Sequence, residues 1–233
     1  ERIFVSLTVP GCEDQGLGLS EQSNKDKFAK EFFYLFRWVL GQDFDFTKFD
    51  FHDHVSVIDE ALAPVLNATN PDLSAFKDSG GKLLMLHGTA DAIIPFTDSL
   101  SYYLRVVNEQ QGIENTRDFF RYFIIPGLAH CFGGPGVQEI AGNGLRAVPK
   151  DREHNALTAL VEWVEKGATP DRLLPVAFKD GNLINGFTMD EYEYERPVFA
   201  YPESAEYISG DPNDPGNYRT DRSWETRQNA NNR

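Results

Sequence analysis

The sequence predicts an α/β fold, a mostly parallel sheet covered by helices, and three observations carry that expectation. Two short apolar runs, at residues 82–87 and 119–125, read as buried parallel strands. Amphipathic helix patterns follow each of them, at 97–111 and 154–166, giving the order strand, helix, strand, helix. An acid and a histidine, Asp91 and His130, stand just past the two strands, where open α/β sheets form their sites.

Before the first strand, residues 25–40 place Phe28, Phe32, Leu35, Phe36 and Val39 on a helical stripe that Gly41 ends. The following FDFTKFDFHDHVSVID alternates aromatic and polar residues and is read as irregular, because Asp, Lys and His oppose a strand. Asn70-Pro71-Asp72-Leu73 reads as a cap, a proline at the first helical position and a short helix turning Leu73 and Phe76 inwards, stopped at Gly80-Gly81. In 97–111 the buried face is expected to be Leu100, Tyr103, Leu104 and Val107. In 154–166 it is Leu157, Leu160, Val161 and Val164, with Gly167 closing the helix. Beyond Pro175 the periodicity weakens, and YRTDRSWETRQNANNR is polar enough for a mobile tail. The first 65 or so residues do not fit the strand and helix order and are read as part of an inserted subdomain over the sheet.

A chain of 233 residues with 41% hydrophobic residues can bury one substantial core. Its 18 phenylalanines fill that core or line a site for an aromatic ligand. A net charge of −14 argues against a nucleic-acid partner, because no cluster of Lys and Arg is present to neutralise phosphates. No apolar run approaches the roughly 18 residues of a membrane span. Glu1-Arg2-Ile3 lacks the basic-then-apolar order of a signal peptide, and the glutamate start fits a chain released from a larger precursor and, equally, an edited sequence. Cys12 and Cys131 leave the redox compartment open by count, and Asn67-Ala68-Thr69 is an N-glycosylation sequon. Taken together these two features lean towards secretion.

If the two strands are parallel neighbours, Asp91 and His130 face one crevice. A buried carboxylate there would hold an imidazole in one tautomer and stabilise the imidazolium formed when the ring takes a proton from a serine hydroxyl. The order acid then histidine is that of α/β-hydrolases. Taken singly, Asp91 reads as a turn or capping acid before Ile93-Ile94-Pro95, and His130 as a satisfied loop histidine. Their placement after successive strands favours the pair. His87 reads as a strand-end packing residue and His154 as a surface residue at a helix start. His52 and His54, in DFHDHV, form too weak a pattern for a metal site. The nucleophile is missing, since Ser20 in GLGLSEQ and Ser79 in KDSGGK both lack the G-x-S-x-G elbow.

The segments DLSAFKDSGGKLLMLHGTADAIIPF, FFRYFIIPGLAHCFGGPG and ALVEWVEKGATPD resemble the C-terminal half of the tannase and feruloyl esterase family of α/β-hydrolases. The resemblance implies an α/β-hydrolase fold, here the C-terminal half of its sheet with part of an inserted lid. It divides the chain into the C-terminal part of the lid at 1–65, the core at 66–200, and an extended C-terminal segment and tail at 201–233. It makes Asp91 the acid, His130 the base, and Cys131 one end of a disulfide to a cysteine beside the nucleophilic serine. Such a bridge would restrict the freedom of the catalytic pair. Counting alone leaves a Cys12–Cys131 bond open, whereas the family pattern assigns Cys12 to a second bond with the other chain. The resemblance implies a cysteine near the YP pair, where Phe199 and Ala200 stand here, a departure from the family pattern at its C-terminal disulfide. The family's lid calcium has no D-x-[DN]-x-[DN]-G loop in this chain, so any ligands are expected upstream; no cofactor is expected for catalysis.

The expectation is thus a subunit of a secreted serine ester hydrolase acting on phenolic acid esters, its serine on a disulfide-linked N-terminal chain of the same precursor. Tannase, acting on galloyl esters, is the first reading and feruloyl esterase the second. A non-catalytic module that only holds a phenolic ligand is the reading from another class.

Overall fold

The computed structural model describes residues 37–45, 48–91, 94–130, 133–140, 148–179 and 192–223. The chain divides into two compact units, Glu1–Asn70 and Pro71–Arg233.

Most of the expected helix at 25–40 lies outside the described residues, although 37–40 are helical and the Gly41 N–H bonds the Arg37 carbonyl at 3.0 Å. The stretch read as irregular through Asp59 instead turns helical at Asp53 and continues as α1 (Asp53–Leu66). The cause is local. Asp50 Oδ1 accepts the N–H groups of His52 and Asp53 at 2.7 and 2.9 Å, satisfying donors that a helix start leaves open. Aromatic and polar alternation concealed that Asp50 turn.

In the second unit, β1 (Leu83–Gly88) pairs in parallel with β2 (Phe120–Ile125), from Leu83 opposite Phe120 to Gly88 opposite Ile125. The crossover holds α3 (Phe96–Glu109) and the short α4 (Ile113–Arg117), and α2 (Ser74–Asp78) precedes β1. Side chains alternate between the two faces of a strand. Leu83, Met85, Phe120 and Tyr122 therefore pack with Tyr103 and Val106 of α3 on one face. Leu84, Leu86, Phe123 and Ile125 pack on the other with Ala159 of α5 (Ala156–Lys166). Cover on both faces explains why these strands read as nearly continuous apolar runs.

Three expectations are corrected here. The helix α2 begins at Ser74 and not after Asn70, with Leu73 at its N-cap and the Asp72 side chain accepting the Ser74 N–H at 3.0 Å; Leu73 packs inwards but Phe76 is exposed. On α3 the buried pair is Tyr103 and Val106, and Leu104 faces out. On α5 the inward face is Ala156, Ala159 and Trp163, leaving Leu157, Val161 and Val164 exposed at 66, 42 and 59%. Small alanines let α5 approach the sheet closely, and the indole fills what remains. Apolar residues surround this helix, so periodicity does not choose its face.

After α5, β3 (Arg172–Leu173) pairs with β6 (Val198–Phe199) and β4 (Val176–Phe178) with β5 (Tyr192–Glu195), both antiparallel. A hairpin follows, β7 (Ser204–Tyr207) with β8 (Tyr218–Asp221). The expected tail therefore starts as a strand, held by the Tyr207–Tyr218 ring pair and a 2.8 Å Arg219–Glu206 ion pair across the hairpin.

Candidate active site

The loops after β1 and β2 leave the same edge of the sheet because the strands are parallel neighbours. Asp91 follows β1, His130 follows β2, and His130 Nδ1 lies 3.0 Å from Asp91 Oδ2. The carboxylate is an acceptor, so the ring donates its Nδ1–H and keeps Nε2 as a base. Asp91 is 7% exposed and the His130 side chain 39%, a buried acid beneath a reachable imidazole.

Asp91 is held from several sides. Its Oδ1 accepts the Ile94 N–H at 2.9 Å, and its Oδ2 lies 3.3 Å from His87 Nε2. Burial pushes the carboxyl up, but the hydrogen bonds from His87, the Ile94 N–H and His130 outweigh it and bring it down to about 2. Asp91 is therefore an anion whenever His130 needs one. His87, read as a packing residue, also bonds the Ser99 hydroxyl through Nδ1 at 2.7 Å and the Ile94 carbonyl through Nε2 at 2.8 Å. Its spacing of four from Asp91 was the signal available in the sequence.

The His130 loop is folded tightly by backbone contacts. Gly127 N–H bonds Thr89 Oγ1 at 2.9 Å, Ala129 N–H bonds the Gly133 carbonyl at 2.8 Å, and Gly136 N–H bonds the Gly127 carbonyl at 3.2 Å. A Cβ on Gly127 would lie 2.6 Å from the Gly136 Cα and nitrogen, and one on Gly136 would lie 2.6 Å from the Pro126 carbonyl oxygen. Glycine is the residue that permits this approach, which gives PGLAHCFGGPG a physical cause.

The other expected residues fall elsewhere. Cys12 and Cys131 lie outside the described residues. Asn67 is exposed immediately after α1. His52 is exposed beside Asp53, and His54 Nδ1 accepts the Asp50 N–H while its ring meets Phe44 and Phe49. Among the described residues no three His, Cys, Asp or Glu side chains are grouped to hold a metal ion. His154 is not a surface residue: its side chain is 15% exposed, with Nδ1 2.8 Å from Asp151 and Nε2 3.2 Å from Glu195 of β5.

The protein-family model "Tannase and feruloyl esterase" matches residues 19–220. This chain belongs to the tannase and feruloyl esterase family. Within that family, a probable feruloyl esterase B-2 of Aspergillus fumigatus is 37% identical over 199 residues, covering 82% of this chain and 34% of the relative. A probable feruloyl esterase B-1 of Aspergillus terreus is 32% identical over 93% of this chain and 38% of its own length. The chain thus spans little more than a third of the curated relatives it matches. Among solved structures, an esterase from Aspergillus oryzae superposes with a TM-score of 0.71 at 31% identity, covering 82% of this chain and 37% of that one. Feruloyl esterase B from Aspergillus oryzae gives 0.68 at 28% identity, covering 80 and 36%. A tannin acyl hydrolase from Aspergillus niger gives 0.52 at 19% identity over 76 and 30%, a likeness of fold alone. These neighbours are fungal esterases and agree with the α/β fold. Among the described residues, no helix is long and apolar enough to cross a membrane.

Proposed function

We propose that this chain supplies the acid and the base of a serine carboxylic ester hydrolase acting on esters of phenolic acids, with the nucleophilic serine contributed by polypeptide outside these 233 residues. The observation that carries the reading is the 3.0 Å Asp91–His130 pair at the carboxyl ends of adjacent parallel strands. His130 Nε2 accepts the serine proton as the serine oxygen attacks the ester carbonyl, and anionic Asp91 stabilises the imidazolium. The same ring then returns the proton to the departing alcohol oxygen, leaving an acyl-enzyme. Water deprotonated by His130 attacks that acyl group, and the carboxylic acid leaves as the serine recovers its proton.

Feruloyl esters are the first substrates to test, since the relatives at 32 to 37% identity bear that name while the tannin acyl hydrolase resembles the chain in fold alone. Galloyl esters are the second. In the same reading Cys131, adjoining His130, is bridged to a cysteine beside the serine, Cys12 forms a second bond to that chain, and Asn67 carries a glycan on a secreted protein. Non-reducing against reducing mass spectrometry of the purified protein, with turnover of methyl ferulate and methyl gallate, tests this. A partner released by reductant and activity lost in His130→Ala support it. A Cys12–Cys131 bond defeats the bridge, and a chain that binds phenolic esters without a partner or turnover defeats the enzyme.

A further inference from the structure

We infer that His87 is a positioning residue that fixes the Asp91 carboxylate against His130, an inference that rests on the catalytic reading above. Its ring stands at the one place where the end of β1, the Asp91 loop and the start of α3 converge. Nε2 faces two acceptors, the Ile94 carbonyl at 2.8 Å and Asp91 Oδ2 at 3.3 Å, so it carries a hydrogen. Nδ1 faces the Ser99 hydroxyl at 2.7 Å, which donates to it. A neutral ring with its hydrogen on Nε2 satisfies every one of these contacts.

Ile94 closes the device. Its carbonyl accepts from His87 while its N–H donates to Asp91 Oδ1 at 2.9 Å, so His87, Ile94 and Asp91 form a hydrogen-bonded ring. Both oxygens of the acid are thereby held, and Oδ2 stays 3.0 Å from His130 Nδ1. The His87 side chain is 10% exposed and the Asp91 side chain 7%, so water does not readily replace a lost partner. An apolar residue that merely packed the strand end would give none of this. His87 touches no reacting atom and acts through the acid, as the carboxylate partner of a catalytic histidine is itself oriented by its surroundings.

The test uses the complete enzyme, with its nucleophile, and four variants. His87→Phe keeps the ring volume and removes all three polar contacts, to Ser99, Ile94 and Asp91, while His87→Gln returns a donor near the position of Nε2. In His87→Phe, kcat on methyl ferulate is expected to fall about 10- to 50-fold with KM within about twofold, the pattern of a disturbed transition state. His87→Gln is expected to recover most of that loss. The downfield proton resonance of His130 Nδ1–H should shift or broaden in the Phe variant and return in the Gln variant. Should His87→Phe not fold, Ser99→Ala tests the same ring, with an expected loss of about two- to fivefold in kcat. Unchanged kcat and an unchanged His130 resonance in folded His87→Phe, or in folded Ser99→Ala where that variant stands in, overturn the inference. Full activity in His130→Ala overturns the underlying catalytic reading instead, and the two failures are distinct.

Discussion

Gly88, the last residue of β1, lies against the backbone of Leu128, two residues before His130. A Cβ at position 88 would collide with the Leu128 carbonyl oxygen, and that oxygen already accepts the Ala90 N–H at 3.0 Å. The loop bearing the acid and the loop bearing the base are thus pressed together by main chain. Gly88→Ala must push them apart. In the complete enzyme kcat is expected to fall about 100-fold, because displacement of about 1 Å between catalytic groups has that effect. Retention of wild-type turnover would mean the two loops are not coupled at this point.

Replacing Asp91 by Asn keeps the shape and removes the charge beneath the imidazole. The expected loss in kcat is about 10³- to 10⁴-fold, since the carboxamide can present its N–H₂ to His130 and favour the wrong tautomer. KM for the ester should change far less. Steady-state kinetics on a ferulate ester measures both.

Acid stability should depend on the same residue. Asp91 has its carboxyl lowered from the ordinary 3.8 to about 2, so the stability it contributes is complete above the ordinary value and is lost as pH falls through about 2. The shift corresponds to roughly 2 kcal/mol. Urea melts of wild type and Asp91→Asn should differ by about that much at pH 5, with the difference shrinking as pH falls towards 2 and vanishing only below it. A difference independent of pH would remove Asp91 from the acid response.

Stability and chemistry are expected to separate at the start of α5. Asn155 Oδ1 accepts the Thr158 N–H at 2.9 Å as the helix cap, and the neighbouring His154 spans Asp151 and Glu195. Asn155→Ala should cost about 1 kcal/mol in a denaturant melt. The kcat of its folded fraction should stay at the wild-type value, and a fall of more than a few-fold would tie the cap to the site.

The strands β1 and β2 were legible because burial on both faces leaves an apolar run that few other structures produce. Asp91 and His130 were legible as strand-end residues, since a parallel pair brings the two loops to one edge. The role of His87 was not, because a histidine before a glycine at a strand end looks like packing until its partners on α3 and in the Asp91 loop are seen. The face of α5 was illegible for another reason: its large residues, Leu157, Val161 and Val164, point away from the sheet, and two alanines and a tryptophan touch it. The helix from Asp53 was missed because the Asp50 side chain that starts it stands inside an aromatic alternation.

That outward face of α5 bears on handling. Three branched aliphatic side chains spaced by four and three residues make a greasy strip on the side of the helix that faces away from the sheet. Strips of this kind recruit other surfaces. Produced by itself, the polypeptide is therefore expected to bind hydrophobic dyes and to precipitate as its concentration rises, despite the net charge of −14 that would otherwise keep molecules apart.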